Sequence, residues 1–303
     1  MIKKDNSLQA DLWLLLCTFL WGATFVAVRD SMRYVSPLTW LGLRFLLAGI
    51  ILLPLGWRSL ASLSAEGWRD GLVLGLFLFG GFALQTAGLV HTTASRSAFI
   101  TGMAVVLVPP TAIALLRAKL DAWQVLGVAL AAAGLYFLSR PTAGGFNRGD
   151  LLTALCAACF AVEVVLVQKY TQRHGPMAMV MVQIVVTIGL SGLLIMFLEK
   201  PRLAWSNTLI VDIFVTSVLA TAGSLVIQFY HQRRTTPARA AIIYTMEPVF
   251  AAGFAYIILD ERMPRLAWLG AALILVGMVV AEMGKLAAIR PLGVPPLGAQ
   301  QNE

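Results

Sequence analysis

Apolar runs long enough to cross the roughly 30 Å hydrocarbon layer of a bilayer recur along most of the chain, separated by short polar links. Read with a window of span length, they fall at 12–28, 37–57, 71–91, 97–116, 122–139, 151–168, 178–198, 208–230, 238–259 and 265–283. Ten such runs predict an all-α integral membrane protein with ten transmembrane helices. The links at 140–150 and 260–264 carry proline and charge, and their brevity makes successive spans antiparallel neighbours. The first run follows Lys3 and Lys4 and so imitates a signal peptide. No small-residue cleavage site follows it, and it has a counterpart later in the chain, so it is expected to stay as a span.

Composition agrees, since 59% of the 303 residues are hydrophobic and only 13% charged, and a water-soluble fold has nowhere to bury that surface. The net charge of +8 does not point to nucleic acid, because the 23 Lys and Arg residues lie in short clusters between apolar runs instead of on one stripe. With the amino terminus inside, 13 of them fall on the cytoplasmic side and 9 on the other, and Arg44 lies within the second span. That bias places both termini in the cytoplasm of a cell with a bacterial-type plasma (inner) membrane. Cys17, Cys156 and Cys159 sit inside apolar runs, and His91, His174 and His231 are dispersed near span ends, so neither a metal nor a cofactor is expected. The chain lacks a Walker loop, an HExxH pair and a nucleophile elbow, which argues against an enzyme and against nucleotide hydrolysis.

The chain also repeats itself. A shift of 143 residues aligns 85–134 with 228–277 at fifteen identical positions of fifty, among them Gln85 with Gln228, Thr92, Thr93 and Arg96 with Thr235, Thr236 and Arg239, and Met103 with Met246. A shift of 139 pairs Asp11 with Asp150, Cys17 with Cys156 and Pro37 with Pro176. The chain therefore divides into five-span units at 1–143 and 144–285, followed by a tail at 286–303 expected to be disordered. Because five is odd, the second unit enters the membrane from the opposite side. Such a 5+5 inverted repeat is an arrangement of carriers, in which two halves exchange conformations about a central site.

Several motifs are specific at this point: Leu20-Trp21-Gly22 in the first span, Thr93-Ala94-Ser95-Arg96 before the fourth, Thr236-Pro237-Ala238-Arg239-Ala240-Ala241 before the ninth, and Glu247-Pro248-Val249-Phe250 leading to Asp260-Glu261-Arg262. Through these the chain resembles the EamA type of the drug/metabolite transporter superfamily over nearly its whole length. The resemblance implies ten helices in two inverted halves, a central cavity, and export of amino acids or related metabolites. In the first half Ala104-Val105 stands where the second has Glu247-Pro248, and Arg117-Ala118-Lys119 replaces the acidic hairpin.

A charged side chain in mid-span costs at least about 2.5–3.5 kcal/mol, so each one asks for a partner or a wet cavity. Arg44 lies about 10 Å below one surface and Glu247 about 14 Å below the other at 1.5 Å per residue, so the two can meet. On one reading Arg44 receives a substrate carboxylate and Glu163 or Glu247 carries a coupling proton; on the other, Arg44 and Glu247 form a fixed pair. Glu247 belongs to the shared motif, which favours structure, whereas Glu163 aligns with Thr24 and has no counterpart charge, which favours function. Gln85, Gln183 and Gln228 suit a polar substrate or interhelical hydrogen bonding. Trp21, Phe25, Trp40, Phe160, Tyr230 and Tyr244 are candidates to line a cavity, with Thr24 beside them, while the remaining tryptophans sit near span ends as interfacial anchors. Pro109, Pro110 and Pro248 free carbonyls within spans and are candidate hinges. Gly71 with Gly75, Gly127 with Gly134 and Gly270 with Gly277 permit close helix approach, within one chain or in a homodimer. The expected function is a secondary carrier exporting a small zwitterionic or amphipathic metabolite, with protons as candidate coupling ion. Rival readings are an uptake or multidrug carrier, a non-transporting assembly factor and a membrane-embedded enzyme.

Overall fold

A computed structural model describes residues 5–139, 147–259 and 265–288. The described residues form helices α1 (Asp5–Ser31), α2 (Pro37–Ala61), α3 (Ala65–Leu89), α4 (Ala94–Gly102), α5 (Ala104–Leu116), α6 (Ala122–Ser139), α7 (Arg148–Tyr170), α8 (Pro176–Leu198), α9 (Asn207–Ser217), α10 (Ser224–Gln232), α11 (Pro237–Tyr244), α12 (Met246–Leu259) and α13 (Arg265–Ala288), with a π-helical segment at Val218–Gly223 joining α9 to α10. Seven stretches are long and apolar enough to cross a membrane, and the apolar parts of α6 and α13 are shorter. Helix α13 continues past the expected boundary at 285; the rest of the tail, with the links at 140–146 and 260–264, lies outside the described residues.

Local chemistry fixes the helix starts. Proline opens α2, α8 and α11, where its missing N–H is no loss. Thr93 and Thr236, repeat mates, accept from the backbone N–H of Arg96 and Arg239 and so cap α4 and α11. Asn147 and Asp150 form a reciprocal capping box at the start of α7.

Two spans are broken in mid-course. Helix α4 stops at Gly102 and α5 resumes at Ala104; α11 stops at Tyr244 and α12 resumes at Met246. Met103 and Thr245 at the breaks both have ψ of −9°, and their N–H groups bond back three residues as well as four or two, tightening the turn. Pro248 explains the second break, since it has no N–H for the carbonyl of Tyr244. In the first half α5 runs through the candidate hinges Pro109 and Pro110, and the interruption of that span lies upstream at Met103.

Glycine permits the tightest packing. A Cβ on Gly134 would sit 2.6 Å from the carbonyl oxygen of Gly270, and one on Gly127 2.8 Å from that of Gly277, so α6 and α13 lie backbone to backbone within one chain. These pairs thus serve close packing within one chain. Gly71 and Gly75 of α3 accommodate Val182 and Val186 of α8 in the same way. Large apolar side chains such as Ile50, Leu55, Met196 and Phe197 are exposed, while Thr18, Thr187, Ser191 and Thr216 are fully buried. That inversion of the soluble-protein pattern is what a lipid-facing exterior requires.

Candidate functional site: a chamber between the two broken spans

Residues from α1, α2, α3, α4, α5, α7, α10, α11 and α12 surround one cavity, with about 870 Å³ of empty space when the open space at its mouth is included. Of the candidate residues, Trp21, Thr24, Arg44, Gln85, Glu163, Gln228, Tyr244 and Glu247 line it together. Phe25, Phe82 and Phe160 supply apolar wall. Two expectations are corrected. Tyr230 points outward, 39% exposed, because it lies two residues past Gln228 and so about 200° round the helix from the inward face that Gln228 marks. Trp40 is fully buried, but in a separate apolar cluster with Val35 and Leu209.

Arg44 does not pair with Glu247. Its Nε donates to Thr221 Oγ1 at 2.6 Å and its Nη2 to the carbonyl of Ala220 at 3.1 Å, and its guanidinium lies 4.9 Å from the centre of the Phe82 ring. Among the described residues no carboxylate comes within 4.0 Å of it. The partners come from the π-helical segment. There the Thr221 hydroxyl bonds the carbonyl of Thr216 and Ser224 that of Leu219, both five residues back, and the Ala220 carbonyl is left to accept from Arg44 and from Trp21 Nε1 at 3.2 Å.

Glu163 occupies another part of the wall. It is buried, and its two oxygens accept from Gln183 Nε2 at 3.3 Å and Gln228 Nε2 at 3.1 Å. Gln183 stands behind Glu163, outside the cavity lining, and serves as its support. The network continues, since Gln228 Nε2 also donates to Gln232 Oε1 at 3.2 Å, which accepts from the Tyr244 hydroxyl at 3.0 Å. Glu247 faces the chamber and, among the described residues, makes no ion pair or side-chain hydrogen bond. Its backbone is held by close packing: a Cβ on Gly22 would lie 2.7 Å from the Glu247 carbonyl oxygen, which explains glycine after Trp21. Gln85, the repeat mate of Gln228, donates to Thr101 at 3.2 Å.

Sequence reasoning missed Thr221, Ala220, Thr101 and Gln232. Gln232 was within reach, because it lies one turn beyond Gln228 on the same face, but the apolar run ends before it. A largely apolar cavity carrying a few charged and hydrogen-bonding groups from both halves of the chain, with two broken helices beside it, is the architecture of a carrier.

The model of the EamA-like transporter family matches residues 8–140 and again 147–283. The chain belongs to this family. A protein described as an uncharacterized transporter in Archaeoglobus fulgidus is 32% identical over 91% of this chain and 86% of its own length. A probable amino-acid metabolite efflux pump of Escherichia coli is 27% identical, covering 94% of this chain and 96% of the relative. A solved crystal structure superposes with a TM-score of 0.77 at 18% identity, over 93% of this chain and 99% of that one, and so shares the fold. The EamA-like chain is accordingly a multi-pass membrane transporter and not an enzyme, with a small-molecule substrate and lipid around it.

Proposed function

We propose that this transporter is a secondary carrier that exports a small zwitterionic or amphipathic metabolite, amino acids first, by alternating access. The observation that carries the reading is the chamber itself: one guanidinium and two carboxyls, fixed on different walls of an aromatic-lined cavity. Arg44, held by a hydroxyl and a carbonyl without a carboxylate partner among the described residues, keeps an unbalanced positive charge to offer a substrate carboxylate. Glu163 and Glu247 offer acceptors for a substrate ammonium or a coupling proton, and Trp21, Phe82 and Phe160 suit an apolar side chain. Gln85, Gln228 and Tyr244 line the same space as hydrogen-bonding groups, and Pro248 beside the break at Thr245 is the proposed hinge.

The threading belongs to the same proposal: ten spans in two inverted units at 1–143 and 144–285, both termini cytoplasmic in the inner membrane. Two family matches, one in each unit, support it, as does the name of the Escherichia coli relative for export. The chain works as a monomer or homodimer. Purified protein in liposomes, loaded with unlabelled amino acid and supplied with labelled amino acid outside, should exchange the two and respond to an imposed pH gradient. Absence of exchange across a broad metabolite panel would favour a non-transporting role; accumulation on overexpression in cells, in place of depletion, would favour uptake.

A further inference from the structure

Outside the chamber stand two ion pairs that the carrier reading does not use. Arg96 Nη2 lies 2.6 Å from Asp150 Oδ2, and Arg239 pairs with Asp11 through the same kind of contact. All four side chains are largely withdrawn from solvent, Asp150 completely. The repeat relates Asp11 to Asp150 and Arg96 to Arg239, so one contact is the symmetry image of the other. Both also cross between halves: α1 of the first unit is tied to α11 of the second, and α4 of the first to α7 of the second.

Each arginine stands in the first turn of a short helix, α4 or α11, that ends at a break beside the chamber. The pair therefore fastens the outer end of a half-helix whose inner end is already severed from the rest of its span. A rigid short helix with a pivot at one end and a charged fastening at the other moves as a unit when that fastening opens. We propose that Arg96–Asp150 and Arg239–Asp11 are the two latches of alternating access, one closing each face of the chamber, and that transport requires them to open in turn. The inference rests on the ten-span threading, which puts the two pairs at opposite faces. Exposure to water on opening solvates both ions, so each latch gives way at modest expense, whereas a buried unpaired charge would not be tolerated.

Braces around the two differ. Asp150 also accepts from the Thr92 hydroxyl at 3.1 Å and from the Asn147 N–H at 2.8 Å. Thr235, the mate of Thr92, has a buried hydroxyl with no hydrogen-bond partner. The Asp11 latch thus lacks the threonine brace that the Asp150 latch has.

The test uses a full-length background with Cys17→Ala, Cys156→Ala and Cys159→Ala. Into it go either Arg96→Cys with Asp150→Cys or Arg239→Cys with Asp11→Cys, bridged by a short bis-methanethiosulfonate that reductant removes, since an arginine–aspartate span is too long for a direct disulfide. Bridging either pair should abolish exchange, and reduction should restore it; exchange unaffected by both bridges would make the pairs permanent staples and overturn the proposal. Accessibility supplies a readout that needs no known substrate. With Ala104→Cys in the chamber wall as probe, a membrane-impermeant maleimide should label only from the Asp11 face when the Asp150 pair is bridged, and only from the other face when the Asp11 pair is bridged. Labelling indifferent to the bridges would refute the latches even if amino acids are not the cargo, while bridge-dependent labelling without amino-acid exchange would leave the latches standing and remove only the assigned substrate.

Discussion

Arg44 and Thr221, 177 positions apart, are joined by a 2.6 Å hydrogen bond from Nε to Oγ1, so the buried cation of the chamber is seated on a π-helical segment and not on a carboxylate. A cation held this way keeps its charge available, and the seat itself becomes a functional element. Removing the hydroxyl with Thr221→Ala deletes one charge-assisted hydrogen bond, a loss of about 1.5–3 kcal/mol in how firmly the guanidinium is placed. The expected outcome is a raised KM for carboxylate-bearing substrates, with protein abundance near wild type. Equal effects on substrates without a carboxylate would contradict it.

Glu163→Gln keeps the shape of the side chain while removing its charge and replacing one acceptor with a donor that faces Gln183 and Gln228 amides. Flux driven by a pH gradient should fall more than protein abundance does. If proton-driven flux in proteoliposomes is unchanged, Glu163 has no part in coupling.

Gly134→Ala places a methyl 2.6 Å from the Gly270 carbonyl oxygen and forces α6 away from α13. Overpacking of this kind destabilises by about 1–3 kcal/mol. Thermal unfolding in detergent should show a lowered Tm; the same change at Gly189, mid-helix in α8 with nothing within 4 Å, should not lower it and should raise it slightly through helix propensity.

Thr92→Ala takes one brace from the Asp150 latch, whereas Thr235→Ala takes none from the Asp11 latch. Maleimide labelling of the Ala104→Cys probe from the Asp150 face should rise in the first variant and stay constant in the second.

Much of this was legible in the chain. Each of the ten apolar runs is helical over its described residues apart from the breaks at Met103 and Thr245 and the turn at Val90 and His91, because a polar backbone in lipid has few other ways to satisfy itself. Arg44, Glu163 and Glu247 announced themselves by their charge in mid-span, and the repeat placed Gln85 and Gln228 on matching faces. The partner of Arg44 was not legible, because the π-helical segment that seats it carries no fixed local signature. The break at Met103 was not legible, because it has no proline beside it; Pro109 and Pro110 sit further on, inside α5. The latches were half visible, since the alignment found all four residues and depth along the chain made them look like loop charges.

The central claim is that Arg44 reads a carboxylate on the transported molecule. Counterflow of an amino acid and of its methyl ester, measured side by side in liposomes carrying wild type or Arg44→Ala, tests it most directly. The account predicts that the variant loses exchange of the free acid and retains that of the ester; parallel loss of both, with folded protein present, would make Arg44 a structural residue and contradict it.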